Sequence, residues 1–190
     1  MVQRIVDAGA RVLAEAGYAA GTTNRMASVA GVSIGSLYQY FPDKDAIVTE
    51  LVRRHIDDGV REIEARLSAP GVGATTLAQR TRVFVEATVA IHRDDPALHR
   101  VLFEEAPHTP EVLSALRRFE RDTVAAVEIL LAKDPEVHVR DIPLAAYITV
   151  TAIESITHKY VSSHPEGIDA EAFIDELTTL VVGYLSSGRV

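Results

Sequence analysis

Apolar residues return at intervals of three and four along the whole chain, and this helical spacing is the feature that most limits its possible folds. The 190 residues contain no convincing run of alternating apolar and polar side chains that would indicate a sheet. Apolar residues make up 47% and charged residues 24%, an ordinary composition for a folded domain with a hydrophobic core. The sequence therefore predicts an all-α protein of about nine helices.

Glycine, proline and short polar residues mark the ends of the first four predicted helices. The first covers residues 2–16 and ends at Gly17. The second begins at Thr22 or Thr23, turns Met26, Val29 and Ala30 inward and stops at Gly31, and the third runs from Ser33 to about Tyr40. Asp43 begins a long fourth helix that reaches Leu67, and a turn-rich linker follows over residues 68–73. The remaining five helices are predicted over residues 77–93, 96–105, 111–133, 142–162 and 169–186.

A very short turn, Gly31-Val32-Ser33, separates the second and third predicted helices. A helix-turn-helix needs this arrangement, in which two short helices meet at a steep angle and the second can enter the major groove of DNA. Val32, Leu37 and Phe41 have the spacing to pack the third helix onto its neighbours. The turn therefore predicts a helix-turn-helix whose third helix contacts bases.

The other side of the third helix offers side chains suited to DNA. Glycine inside a helix costs about 1 kcal/mol relative to alanine, so Gly35 suggests a close approach to the duplex. Gln39 can bond an adenine edge, Ser36 can bond several bases, and Ile34 can touch a thymine methyl group. Phosphate contacts are expected from Tyr38, Tyr40 and Lys44, with Thr23 similarly placed at the start of the second helix. The alternative is that the turn is a common one and the tyrosines simply pack.

The full string resembles the DNA-binding signature of the TetR family of repressors. The residues that carry the resemblance are Thr22-Thr23, Ala27, Ala30-Gly31-Val32-Ser33, Gly35, Leu37-Tyr38, Tyr40-Phe41 and Lys44. The match covers about residues 2–48. It implies a helix-turn-helix domain over residues 1–47 and, over residues 48–190, a helical domain that binds a small-molecule effector and dimerises. It further implies a palindromic double-stranded operator, contacted by Thr23, Asn24, Ile34, Gly35, Ser36, Tyr38, Gln39, Tyr40 and Lys44.

The same resemblance implies an effector pocket in the C-terminal half, where no short motif of comparable strength occurs. A stripe on the predicted 142–162 helix mixes apolar and polar side chains, which differs from a plain core stripe. We expect an apolar or aromatic effector, although the phenylalanines concerned are more often core residues. The candidate pocket residues are Phe84, Thr88, His92, Leu102, Phe103, Phe119, Tyr147, Thr151, Glu154 and His158.

The last two predicted helices carry broad apolar faces. Such faces suit a four-helix interface to which each subunit of a homodimer contributes two helices. The alternative is that they only cover the core of their own chain, and the family resemblance favours the dimer. The candidate interface residues are Ile148, Ile156, Tyr160, Phe173, Leu177, Val181 and Tyr184.

Several function classes lack their required residues. The chain has no cysteine, which excludes disulfides and thiolate chemistry, and its seven histidines form no ligand pattern, so we expect no metal, no cofactor and no enzymatic activity. No apolar run is long enough to span a membrane and the N-terminal segment is an amphipathic helix, which predicts a cytoplasmic protein.

The net charge of −8 is the main argument against DNA binding. Residues 1–47 are nevertheless neutral, with four basic and four acidic side chains, so nearly all of the excess acid lies further along the chain. A helical ligand-binding module that does not bind specific DNA is the alternative function.

Overall fold

The computed structural model describes residues 1–68, 76–163 and 167–187, and every regular element in those ranges is helical. The helices number nine there, as predicted, and α6 continues directly into a π-helical turn. All but the first residue of the predicted linker over 68–73 lies outside the described residues. The helices are α1 (Val2–Ala20), α2 (Thr23–Ala30), α3 (Ile34–Tyr40), α4 (Lys44–Leu67), α5 (Leu77–Arg93), α6 (Pro96–Arg100) with the π turn Val101–Glu105, α7 (Pro110–Leu131), α8 (Ile142–Ser163) and α9 (Ala170–Ser186).

The chain divides into two compact units. Unit 1 consists of Met1–Asp57 and Asp95–Leu116, and unit 2 consists of Asp58–Asp94 and Arg117–Val190. Unit 1 therefore contains α6 and the π turn together with α1, α2 and α3. The predicted boundary at residue 47, between a DNA-binding domain and an effector-binding domain, stays a prediction.

The core of unit 1 is built from one face of α1 and the residues that α2, α3 and α4 turn toward it. Ile5 and Leu13 of α1, Met26 of α2, Leu37 of α3 and Ile47 of α4 are completely buried. This confirms the predicted packing position of Leu37 and the predicted inward position of Met26. Val29 is an exception.

Val29 was predicted to face inward, but 38% of its surface is exposed. At 100° per residue, the buried arc of α2 is centred between Met26 and Ala27 and takes in Ala30. Val29 falls outside that arc, so the inward assignment was wrong.

A break at Gly17 ends the regular part of α1. Gly17 has φ 74° and ψ 174°, a conformation almost restricted to glycine, and one further turn leads to Ala20. The predicted helix end at Gly17 thus corresponds to a kink that redirects the chain at Tyr18.

Unit 2 has its own core, in which α5 packs against α8 and α9. Val85 of α5, Ile153 of α8 and Leu185 of α9 are buried there. Arg82 of α5 also forms ion pairs with Glu171 and Asp175 of α9. In the part of the chain that is described, no helix is both long and apolar enough to cross a membrane.

Candidate nucleic-acid interface and ligand cavity

Side-chain caps define the turn between α2 and α3. Thr22 accepts a hydrogen bond from the backbone N–H of Arg25 at the start of α2, and Ser33 accepts one from Ser36 at the start of α3, as the sequence predicted. Gly31 takes the left-handed conformation (φ 64°, ψ 40°) that ends α2. Arg4 of α1 donates to the Ala30 carbonyl at 2.6 Å, which ties the end of α2 to α1. The local sequence thus sets the direction in which α3 leaves the turn.

The two sides of α3 differ sharply in exposure. Leu37 is completely buried and Phe41 is 7% exposed, whereas Tyr38 and Tyr40 are 48% and 49% exposed. Both tyrosines therefore present about half of their surface to solvent, unlike Leu37 and Phe41. The outward face also carries Ile34, Gly35 and Gln39, all of them exposed.

Two predicted DNA contacts from different helices lie side by side. The hydroxyl oxygens of Thr23 in α2 and Tyr38 in α3 are 3.0 Å apart and share a hydrogen bond. Asn24 is exposed next to Thr23, while Ser36 is half-buried with its hydroxyl 2.8 Å from that of Ser33. The structure therefore brings Thr23 and Tyr38 together, leaves Asn24 exposed, and engages the Ser36 hydroxyl with its own helix cap.

Lys44, at the start of α4, is half-buried against α1. Its Nζ donates to the carbonyl oxygen of Tyr18 at 2.5 Å and lies 3.7 Å from the centre of the Tyr18 ring. The Tyr18 hydroxyl donates to Asp45 at 2.5 Å, and its backbone N–H donates to Glu105 of the π turn at 2.9 Å. Burial, together with the hydrogen bond and charge of Asp45, raises the pKa of Tyr18 to about 12. We call Tyr18, Lys44, Asp45 and Glu105 the Tyr18 clamp.

Sequence reasoning missed three members of the Tyr18 clamp. Tyr18 falls just beyond the predicted end of α1, and Glu105 lies 87 residues further along the chain. No spacing rule connects such distant positions. The glycine before Tyr18 was the only local signal that the chain changes direction there.

The basic side chains near the candidate interface are largely used within unit 1. Arg4 binds the end of α2, Arg25 pairs with Glu15 at 2.8 Å, and Lys44 belongs to the Tyr18 clamp. Residues 1–47 are therefore neutral overall, and three of their positive side chains are also bonded to carbonyl or carboxylate groups nearby.

Unit 2 contains a cavity of about 150 Å³. Most of its wall consists of leucine, valine, isoleucine and phenylalanine side chains from α4, α5, α7, α8 and α9. Its polar wall residues are Arg80, Thr81, Asp134 and Thr149. Phe84 is the one predicted pocket residue that lines this cavity.

A second group of predicted pocket residues forms a polar cluster between α5 and α8. Nδ1 of His92 donates to the Thr88 carbonyl at 2.7 Å, and its Nε2 lies 3.7 Å from a carboxylate oxygen of Glu154. The rings of His92 and His158 are 6.2 Å apart. Burial raises the pKa of Glu154 to about 7 and, with the charge of His158, lowers the pKa of His92. Thr151, which precedes Glu154 on α8, is half-buried.

Other predicted pocket residues lie elsewhere. Leu102 is 1% exposed in the core of unit 1 and Phe103 packs against that core, so both belong to a different unit from Phe84. They lie within the π turn, which packs with α1. Phe119 is half-buried on α7, and Tyr147 is 49% exposed on α8.

The predicted dimer residues also separate into two sets. Ile148, Ile156 and Tyr184 are 39%, 38% and 37% exposed, which leaves their side chains available for a partner. Tyr160 and Phe173 are half-buried and stack on each other, with ring centres 3.9 Å apart. Leu177 and Val181 were also predicted to contact a partner subunit, but they are only 3% and 4% exposed. That stripe of α9 packs instead into the core of unit 2.

Comparison with known proteins gives matches along nearly the whole chain. Residues 5–51 match the family profile of bacterial regulatory proteins of the tetR family, and residues 76–185 match the tetracyclin repressor-like C-terminal domain. The HTH-type transcriptional activator FasR of Mycolicibacterium smegmatis is 26% identical over 96% of this chain and 82% of its own length. The HTH-type transcriptional repressor KstR2 of Rhodococcus jostii is 30% identical over 60% of this chain and 58% of its own.

Solved structures share the fold. The transcriptional regulator FadR of Bacillus subtilis, in complex with stearoyl-CoA, superposes with a TM-score of 0.70 at 20% identity and full coverage of both chains. A tetR-family regulatory protein from Rhodococcus RHA1 gives a TM-score of 0.75 at 22% identity, covering 97% of this chain and 96% of its own. With a capped helix-turn-helix in unit 1 and both family profiles matched in order, the chain belongs to the TetR family of transcriptional regulators.

Proposed function

We propose that this regulator is a dimeric repressor that binds a palindromic operator through α3 and responds to a small molecule held in unit 2. The observation that carries the DNA-binding part is the outward face of α3. It exposes a glycine, a glutamine and two tyrosines beside a rigid, doubly capped turn. Two half-exposed tyrosines on one short helix place hydroxyl groups where phosphate oxygens can accept hydrogen bonds from them.

The roles of the contact residues follow from their chemistry. Gln39 and Ile34 contact base edges, with Gly35 allowing the helix to approach closely. Tyr40 donates a hydrogen bond to phosphate, as does whichever hydroxyl of the Thr23–Tyr38 pair accepts the bond that they share. The Lys44 ammonium group carries three N–H donors, so a phosphate can share it with the Tyr18 carbonyl.

Dimerisation is supported by apolar side chains exposed on α8 and α9. Leu144, Tyr147 and Leu180 are 51%, 49% and 58% exposed, in addition to the predicted Ile148, Ile156 and Tyr184. A cluster of large exposed apolar residues on two adjacent helices is typical of a self-complementary interface. Two α3 helices spaced about 34–36 Å apart would then contact successive major grooves of a palindrome.

Activation is the second candidate for the direction of control. FasR, which matches this chain over most of its length, is named an activator, whereas KstR2 is named a repressor. Transcription in vitro from a promoter that contains the selected operator separates the two. A repressor lowers transcript yield when it is added, and an activator raises it.

The effector part of the proposal rests on the cavity and on the fold. The Bacillus subtilis relative of the same fold is in complex with stearoyl-CoA, and the cavity in unit 2 has a mainly apolar wall. An apolar ligand would shift the protein between states of different operator affinity by binding one of them more tightly. We therefore assign the effector to unit 2.

The test is selection of bound duplexes from a random pool, followed by affinity measurements on the selected sequence. A palindrome and a steep loss of affinity with rising salt are expected of a DNA-binding regulator. Binding without sequence preference would support the alternative of a ligand-binding module.

Two variants refine that test. Gln39→Ala with Tyr40→Ala should weaken operator binding at least tenfold, because a good base contact is worth about 1–3 kcal/mol, while sedimentation shows the same dimer. Ser114→Ala, on the exposed surface of α7, is the matched control and should leave operator affinity unchanged. Unchanged binding by the Gln39 and Tyr40 variant would contradict the assignment of this face.

A further inference from the structure

Thr149 of α8 lines the cavity of unit 2, whereas Thr151, Thr157 and Thr178, whose hydroxyls are likewise buried without a partner in the described protein, do not line it. Thr149 is only 5% exposed, and its hydroxyl oxygen is fully buried without a hydrogen-bond partner in the described protein. Buried Thr88 of α5, by contrast, donates to the carbonyl oxygen of Phe84 one turn earlier, at 2.9 Å. Buried polar groups in native proteins are nearly always hydrogen-bonded, and of the four threonine hydroxyls without a partner in the described protein that of Thr149 belongs to the cavity wall, where a ligand can supply the partner.

The charged residues of the cavity wall neutralise each other. Arg80 forms an ion pair with Asp134, whose side chain is only 5% exposed. The second carboxylate oxygen of Asp134 accepts the backbone N–H of Glu136 at 2.9 Å. An ionised ligand would have to compete with these bonds in a site whose wall is mainly apolar, which is unfavourable. The wall therefore selects for a ligand without net charge.

The size of the cavity limits the ligand further. Its volume is about 150 Å³, and apolar cavities near this size hold a benzene-sized molecule. Phe84, Leu131 and Ile153 give the wall its apolar character. A long acyl chain with a large charged head is a poor match to this space and wall, so the expected ligand differs in class from the stearoyl-CoA of the Bacillus subtilis structure.

We propose that the effector is an uncharged molecule about the size of a single aromatic ring that carries one hydroxyl or carbonyl group, which hydrogen-bonds to Thr149. The threonine hydroxyl can donate to or accept from such a group. The inference rests on the proposed function, because it takes the cavity of unit 2 as the effector site.

Calorimetric titration of the full chain with four probes tests the class of ligand. Phenol carries the hydroxyl, toluene lacks it, benzoate has similar size with a charge, and stearoyl-CoA is long and charged. We expect phenol to bind at least tenfold more tightly than benzoate or stearoyl-CoA. Equal or tighter binding of either charged probe overturns the inference.

A pair of matched variants tests the role of Thr149. Thr149→Val removes the hydroxyl and keeps the shape, so phenol affinity should fall about tenfold while toluene affinity is unchanged or higher. Thr157→Val makes the same change on the same helix at a completely buried hydroxyl that does not line the cavity, and it should leave phenol affinity unchanged. Equal phenol affinity of the Thr149 variant and the wild-type chain overturns the inference.

Operator binding is measured in the same samples, so that the two proposals fail separately. Operator binding without the expected probe preference refutes the ligand class and leaves the DNA-binding proposal standing. Phenol binding that depends on Thr149 but leaves operator affinity unchanged refutes the effector role of the cavity.

Discussion

Replacing Gly35 with alanine should make the protein more stable and a poorer DNA binder. Gly35 lies within α3, is exposed and does not have a positive φ, so alanine fits the backbone. The nearest atom to an added Cβ would be the hydroxyl oxygen of Ser33, at 3.9 Å, which is ordinary contact. Since glycine costs about 1 kcal/mol relative to alanine inside a helix, Gly35→Ala should raise the free energy of unfolding by about 0.5–1 kcal/mol.

The same methyl group would project from the face that we assign to the DNA bases. Forcing an extra methyl group into a tight contact typically costs about 1–3 kcal/mol. Each 1.4 kcal/mol is a factor of about ten in affinity, so operator binding should weaken about 5- to 150-fold. Urea denaturation measures the first effect and fluorescence anisotropy with the selected operator measures the second.

Ser114→Ala provides the control for helix propensity. Ser114 is exposed on α7 within unit 1, and the change to alanine should add about 0.5 kcal/mol of stability without changing operator affinity. Operator affinity of Gly35→Ala equal to that of the wild type would refute the close approach of this face to DNA. A loss of stability would refute the inference that the space beside Gly35 is open.

Two further predictions concern the kink in α1 and the polar cluster of unit 2. Gly17→Ala should lower the free energy of unfolding by about 1–3 kcal/mol in thermal or urea denaturation, because the left-handed conformation of Gly17 is strained for alanine and the added Cβ would lie 2.9 Å from Glu105; wild-type stability would contradict this. The pKa of Glu154 is raised to about 7, so the folded chain binds the proton of this carboxyl group more tightly than the unfolded chain does. The free energy of unfolding should therefore fall as the pH rises from about 4.5 to about 7, and stay level above that. Glu154→Gln should remove that decline, at most about 3 kcal/mol, and an unchanged pH profile of unfolding would contradict the assignment.

The local parts of the candidate interface were predictable from the sequence, because their determinants lie within one turn of each other. Thr22, Gly31 and Ser33 set the helix ends through their own backbone and side-chain chemistry. Leu37 and Phe41 then follow from helical spacing. The DNA contacts themselves stay a prediction.

The distant partners could not be predicted in this way. Glu105 reaches Tyr18 only because the π turn packs with α1 in unit 1, and nothing in the local sequence marks that contact. The cavity wall likewise depends on which faces of α5, α7 and α8 meet. For that reason Thr149, Arg80 and Asp134 were missed, whereas Leu102 was wrongly assigned to a pocket.

The charge distribution bears on how operator binding can be strong enough. The net charge is −8, and three of the four basic residues in 1–47 are engaged with carbonyl or carboxylate groups of unit 1. Counterion release, the main source of non-specific affinity for DNA, therefore rests on few phosphate contacts per chain, and the steep salt dependence expected of operator binding depends on the doubled contacts of a dimer. A dimer presents two α3 helices and doubles both phosphate and base contacts, so its affinity rises far more than that of a single helix-turn-helix. Weak attraction to random DNA then becomes an advantage, because the protein discriminates its operator by the fit of paired helices rather than by charge.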